Sequence, residues 1–381
     1  MEPLKREIAH RFVSLASPTA ARNGAGFHPC QGLYHTPKGA RPRTALIATH
    51  YNVDFSEHYL ADEMAALGFG FLGWNTRFRG AETYFLLDHA LIDIAVGIRW
   101  LREEAGVEQV VLLGNSGGGS LLAAYQSHAR AGELGEAPTH RIPGWPRLPQ
   151  LDDLPAADLY ISLNAHPGRP EVLTAWMDPS VVDESDAFSV DPALDMFDPA
   201  NGPPYAPEFV LRYRAGQVAR NHRISAWARA ELENLASRGY SDRVFTLPRT
   251  WADLRFMDGT LDPSDRPIGS CYAGKPARAN FGPFGIGYSC TLRTWLSMWS
   301  LDDSGCCGAP HLERIFEPSL VIQSRGDTGV FPSDAEAIFA SLGARDKRLD
   351  WVDGDHYLQQ PEDARAAVAL RIAEWLGARA G

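Results

Sequence analysis

Basic residues are the first shortage in this chain of 381: 36 lysines and arginines stand against 47 aspartates and glutamates, a formal net charge of −11. An acidic surface repels phosphate backbones and anionic lipid heads, so neither nucleic acid nor a membrane is an expected partner. Cysteine is scarce too. The five, Cys30, Cys271, Cys290, Cys306 and Cys307, are odd in number and include no C-x-x-C pair. That argues against a disulfide framework and offers no zinc-ligand spacing, so they read as small buried hydrophobes. The sequence lacks H-E-x-x-H and any carboxylate–histidine cluster at ligand spacing, so no metal and no cofactor is expected. No apolar run approaches the ~20 residues a membrane span needs. The start, Met1-Glu2-Pro3-Leu4-Lys5-Arg6, leads into a mixed stretch and not into the apolar core of a secretory leader. The expected location is the cytoplasm.

What is there is a globular composition, with 45% hydrophobic and 22% charged residues. It suits a soluble enzyme with a core large enough to hold a buried site. Length permits one large domain or a core with a sizeable insertion. Short apolar runs alternate with amphipathic stretches, the pattern of a parallel sheet with crossover helices. Strands are expected at Thr44–Thr49, Gly70–Trp74, Gln109–Leu113 and Leu159–Leu163. Asp54 and Glu57 stand at capping-box spacing before Leu60, Met64 and Leu67, which predicts a helix capped at Asp54. A second helix carries Leu91, Ile94, Ile98 and Leu101 on one stripe, and a third runs from about Gly118 to Arg130.

From His166 to about His311 the alternation stops. Five of the ten tryptophans fall here (Trp176, Trp227, Trp251, Trp295, Trp299), and Pro207 to Arg238 reads as helical. The stretch predicts an inserted, mainly helical cap over residues 166–312, between core segments 1–165 and 313–381. Alternation resumes with a strand at Ser319–Gln323, a helix near Pro332–Leu342 and a strand around Leu349–Val352. A last helix is expected to start with Pro361 at its first position.

The chemistry centres on Gly114-Asn115-Ser116-Gly117-Gly118, a G-x-S-x-G run between an apolar strand and a helix. A turn this sharp needs close approaches that a Cβ would block. It lifts the serine hydroxyl out of the sheet and sets a helix N-terminus beneath it. A phosphate loop would need Lys before Ser or Thr after its last glycine, whereas Gly119 is followed by Ser120-Leu121. His356, in the loop between the last strand and the last helix, is the candidate base, because a loop at a strand's carboxyl edge opens onto the same crevice as Ser116. A carboxylate must orient it. Asp327, just past the strand at Ser319–Gln323, precedes His356 in the expected order, with Asp353 and Asp355 as rivals.

On these motifs the chain resembles the α/β-hydrolase superfamily over roughly residues 30–165 and 313–381. The resemblance implies an α/β-hydrolase fold, nucleophile Ser116, acid Asp327, base His356 and an oxyanion hole that includes the Gly117 amide. The second donor would come from His50-Tyr51-Asn52, where the family often has His-Gly-X. Asn52 matches the last position, Tyr51 stays open as the donor, and His50 is expected to be structural. Thr76-Arg77-Phe78-Arg79-Gly80 resembles the family's Arg-Gly loop. Bracing is the expected role of Arg79, and the functional alternative is that Arg77 or Arg79 binds a substrate carboxylate. Tyr51 and His166 are further candidate substrate contacts. The expected activity is cleavage of a carboxylic ester or lactone of a hydrophobic small molecule through an acyl-serine. Carbon–carbon hydrolysis of a ring-cleavage diketone, acyl transfer, and ligand binding on a hydrolase scaffold are the rivals. The expected partner is the small hydrophobic substrate, and a homo-oligomer is left open.

Overall fold

The architecture follows from a computed structural model that describes residues 6–19, 26–138, 142 and 145–379. Met1 to Lys5, part of the run read above for a leader, lie outside the described residues.

Apolar runs bounded by turns become strands buried on both faces. They are β3 (Thr44–Ala48), β4 (Gly70–Asn75), β5 (Gln109–Asn115), β6 (Leu159–Leu163) and β9 (Ser319–Ser324), with β10 (Lys347–Val352) at the edge. Two strands that the pattern did not mark, β1 (Ile8–Leu15) and β2 (Cys30–Pro37), complete one eight-stranded sheet in the order β1-β2-β4-β3-β5-β6-β9-β10. Both pairings of β2 are antiparallel and every pairing from β4 to β10 is parallel. This is the α/β-hydrolase fold.

Helices cover both faces. Leu87–Glu103 buries Leu87, Leu91, Ile94, Ile98 and Leu101. At ~1.5–3 kcal/mol per buried large aliphatic chain, that stripe fixes the helix to the sheet. Gly118–Ala129 is almost wholly buried, its polar Gln126 included, which donates to the Ala157 carbonyl at 3.0 Å. The opposite face is packed by Ala364–Gly377 through Val368, Ile372, Trp375 and Leu376.

Two boundaries differ from expectation. The first crossover helix is only Ala61–Ala66, with Leu60 as its N-cap. Asp54 is no cap, because its Oδ1 accepts from the Ser56 amide at 2.9 Å and from Asn75 Nδ2 at 2.8 Å. The last helix begins at Ala364 and not at Pro361, whose carbonyl instead accepts from the Ala364 amide in a preceding turn.

Between β6 and β9 the chain builds the inserted stretch on a 31-residue helix, Pro207–Ser237, preceded by a shorter one, Arg169–Trp176. A two-stranded antiparallel ribbon, β7 (Val244–Thr246) and β8 (Ser289–Thr291), and much irregular backbone fill the rest. The insertion shares the main hydrophobic cluster. Ile224, Leu232, Trp295 and Trp299 belong with Leu87, Leu91 and Leu121 of the sheet's own helices. The five cysteines are free, and all but Cys307 are fully buried. Among the described residues, no helix is long and apolar enough to cross a membrane.

Candidate active site

β5 ends at Asn115, and Ser116 takes the left-handed conformation, φ 55°. A non-glycine residue there is strained, and such strain persists where surrounding structure imposes it. Here the imposition is visible. The Ser116 amide lies 3.2 Å from the carbonyls of both Leu163 and Asn164, and its own carbonyl accepts from the His166 amide at 3.1 Å. The glycines that follow are forced by contact. A Cβ on Gly118 would lie 2.2 Å from the Thr49 carbonyl oxygen, and one on Gly119 2.5 Å from Ala165 Cβ.

The loop after β9 carries Asp327 and the loop after β10 carries His356. Both side chains are buried, and His356 Nδ1 lies 2.7 Å from Asp327 Oδ2. The other carboxylate oxygen, Oδ1, accepts from the amides of Gly329 (2.8 Å) and Val330 (3.0 Å). The rivals are placed elsewhere. Asp355 caps its own loop through the Tyr357 and Gln359 amides, and Asp353 is exposed. Ser116 and His356 line one cavity of about 590 Å³.

Two residues that pattern reading missed hold this arrangement. Tyr272, from the insertion, places its hydroxyl 2.9 Å from Asp327 Oδ1 and 2.8 Å from His356 Nδ1. Burial, and then the Asp327 charge, push its phenol well above its ordinary range, so it remains a donor. Asn164, at the end of β6 with φ 43°, joins three loops. Its backbone carbonyl meets Ser116, its Oδ1 accepts from the Ser324 amide at 2.7 Å, and its Nδ2 donates to the His356 carbonyl at 3.2 Å. Neither carries a motif. An asparagine at a strand end is an ordinary turn residue, and Tyr272 is distant in sequence from everything it touches.

The cavity wall is aromatic. Trp176, Trp251, Tyr272, Phe284 and Tyr288 come from the insertion, and Phe55 and Tyr59 from the loop after β3. The Trp251 indole N–H donates to the Phe284 carbonyl at 2.6 Å, which fixes one wall to another. His166 lines the cavity, with its ring 6.3 Å from that of His356. Burial, and then the neighbouring His356 and Arg169, hold it well below the usual histidine range.

Three expected site residues stand differently. Arg77 does not reach the cavity. Its Nε donates to Asp93 Oδ2 at 2.8 Å and its Nη2 to Oδ1 at 2.6 Å, inside the core, because helix Leu87–Glu103 presents a buried carboxylate there. Arg79 braces Asp54 at 3.1 Å, as expected. Tyr51 is fully buried, with its hydroxyl 3.0 Å from Ser120 Oγ, and its side chain does not line the cavity. Asn52 lines the cavity, and its amide donates to His50 Nδ1 (3.4 Å), as does that of Val53 (3.3 Å). Tyr51, at the middle position of His50-Tyr51-Asn52, sinks a large ring beneath this loop.

One trio among the described residues has metal-ligand proximity. Asp62 Oδ1 lies 2.8 Å from both His10 Nε2 and His35 Nδ1. It sits between β1, β2 and the first helix, none of it lining the Ser116 cavity.

No family model and no curated protein matches the sequence. Solved structures do. An α/β hydrolase from Penicillium sp. sh18 is 10% identical, with a TM-score of 0.49 over 96% of this chain and 98% of that one. The esterase domain of a Rhodothermus marinus protein is 14% identical, with a TM-score of 0.44 over 96% and 97%. A Paleococcus ferrophilus monoacylglycerol lipase is 12% identical, with a TM-score of 0.44 over 98% and 100%. At such identities the likeness concerns the fold alone, which the strand order already establishes.

Proposed function

We propose that the protein is a serine hydrolase that cleaves a carboxylic ester or lactone of a small hydrophobic, ring-bearing molecule. One observation carries the reading: the His356–Asp327 pair, closed at 2.7 Å, opens onto the same cavity as a serine held at φ 55° on a strand-to-helix elbow. In this mechanism Ser116 Oγ attacks the ester carbonyl carbon as its proton passes to His356 Nε2. The carbonyl π pair moves onto oxygen, and the resulting oxyanion is held by the Gly117 amide at the first, unpaired turn of its helix. Collapse breaks the bond to the alkoxy oxygen, which leaves with the proton from His356. Water then attacks the acyl-serine, again giving its proton to His356. The acid departs and Ser116 regains its hydrogen. Asp327 keeps the His356 proton on Nδ1 and stabilises the cationic ring between steps.

The aromatic wall supports a hydrophobic substrate, and a cavity of about 590 Å³ is of the size that takes small molecules. The test is turnover of p-nitrophenyl butyrate together with covalent labelling by a fluorophosphonate. Both should disappear in Ser116→Ala while the circular dichroism spectrum is unchanged. Retained turnover in that variant rejects the reading.

A further inference from the structure

A second feature of the elbow concerns the oxyanion and rests on the serine-hydrolase reading. The insertion's first helix begins with Arg169, whose guanidinium is buried beside Ser116's turn. It is sandwiched between two aromatic faces, 4.7 Å from the Tyr51 ring centroid and 4.6 Å from that of Trp299. Its Nη2 donates to Glu82. These three contacts fix the plane of the fork and leave Nη1 facing Gly117. His50 meets it there. Because His50 Nδ1 faces two amide hydrogens, those of Asn52 and Val53, the neutral ring carries its proton on Nε2. A Cβ added to Gly117 would lie 2.8 Å from His50 Nε2 and 3.0 Å from Arg169 Nη1. Two side-chain N–H donors therefore converge on one point, a single bond from the Cα of the residue that follows the nucleophile. Both line the cavity.

We infer that the oxyanion hole is completed by side chains: Arg169 Nη1 and His50 Nε2 supply donors beside the Gly117 amide, where the Asn52 amide is engaged by His50 Nδ1. The loop's own sequence accounts for the arrangement. The Tyr51 ring descends into the core and becomes one face of the Arg169 sandwich. Glycine at 117 is then required because any side chain would occupy the point where the donors meet. The negative charge that develops on the carbonyl oxygen as the Ser116 Oγ–carbon bond forms is met by a fixed cation whose own side chain is buried. Electrostatic stabilisation is most effective from such a charge.

The test compares an oxygen ester with its thiono analogue, p-nitrophenyl butyrate against O-p-nitrophenyl thionobutyrate, on each enzyme. Sulfur accepts hydrogen bonds poorly, so the wild-type preference for oxygen reports the donors. The ratio is taken on one preparation and is independent of how much of it is folded. Arg169→Met should lower kcat on the oxygen ester by roughly 10²–10³, leave KM within a few-fold and collapse most of the oxygen preference. His50→Phe should lower both in the same sense. Arg169→Lys, which keeps the stem and the charge but not the planar fork, should fall between wild type and Arg169→Met. An oxygen preference unchanged in both Arg169 variants and in His50→Phe overturns the inference, while the serine-hydrolase reading stands or falls separately on Ser116→Ala.

Discussion

At the scale of single residues, the site is an exercise in holding a charge still. Asp327 receives two backbone amides and one phenol on Oδ1, which leaves Oδ2 for His356. The phenol comes from Tyr272, whose ring also sits 4.3 Å from the His356 ring. It touches Asp327 and His356, and its effect on the reaction passes through them, so it is a positioning residue. A hydrogen bond to a charged group contributes about 1.5–3 kcal/mol. If about half of that is felt in the transition state, Tyr272→Phe should lower kcat by roughly three- to tenfold. KM for a neutral ester should stay close to wild type, because no substrate contact is lost beyond the hydroxyl. A purely structural tyrosine would give the opposite: an unchanged kcat per active site, counted by fluorophosphonate titration, and only a lower melting temperature. Ser116, Asp327 and His356 could be singled out in the sequence as candidates because each follows a recognisable strand at its carboxyl edge. Tyr272 and Asn164 could not, since what makes them matter is a contact made across long stretches of chain. Arg77 misled for a related reason. Its place after β4 is the right one for a substrate-facing arginine, and only the fold reveals the carboxylate of Asp93 beneath it.

At the scale of elements, strand positions were readable wherever both faces of the strand are buried, because a continuous apolar run leaves few other uses for the segment. The edge hairpin β1–β2 was not. Three successive residues of β1, His10, Arg11 and Phe12, are exposed, which breaks any period-two pattern, and polar His35 sits among the buried positions of β2. The insertion was readable only as an interruption. Its backbone is held less by periodic faces than by buried charge, as where fully buried Asp253 meets Arg214 at 2.7 Å and Arg255 at 2.8 Å. The same device joins helix to strand in the core. Asp93, fully buried on helix Leu87–Glu103, holds Arg77 at the end of β4 through both carboxylate oxygens. Removing one partner of such a pair leaves the other charge unpaired and costs about 3–5 kcal/mol. Asp93→Ala should therefore move the urea midpoint sharply downward without altering KM for a neutral ester in the folded fraction. A raised KM with unaltered stability would return Arg77 to the substrate site.

At the scale of the molecule, the insertion and the sheet form one body. Ile224, Leu232, Trp295 and Trp299 pack in the same cluster as Leu87, Leu91 and Leu121, and the cavity's Trp176 and Trp251 pack in another that includes Phe331 from the segment after β9, so both clusters join the insertion to the core. Unfolding should then be a single transition, and groups around the cavity should contribute to the stability of the whole. Three histidines there test this: burial is the first cause holding His50, His58 and His166 below the usual range, and it takes His58 down to about 3 from 6.5. The unfolded chain binds protons at these positions as pH falls through about 6.5, whereas the folded chain does not. Their contribution to stability is intact above that pH and is lost progressively between about 6.5 and about 3. Each such histidine contributes a slope of about 1.4 kcal/mol per pH unit within its window. Glu171, Asp242 and Asp334, whose carboxyl groups burial raises, act in the opposite sense as pH falls. The clean quantity is therefore a difference between two proteins carrying the same carboxylates. His58 Nε2 donates to Asn115 Oδ1 at 3.2 Å, a bond that a glutamine amide can make without titrating. His58→Gln should lose less stability than wild type between pH 7 and pH 5.5, by about 1.4 kcal/mol for each unit below 6.5, as read from urea titrations at each pH. Parallel pH dependences in the two proteins would mean that His58 exchanges protons freely in the folded state and that the cavity floor is open to solvent.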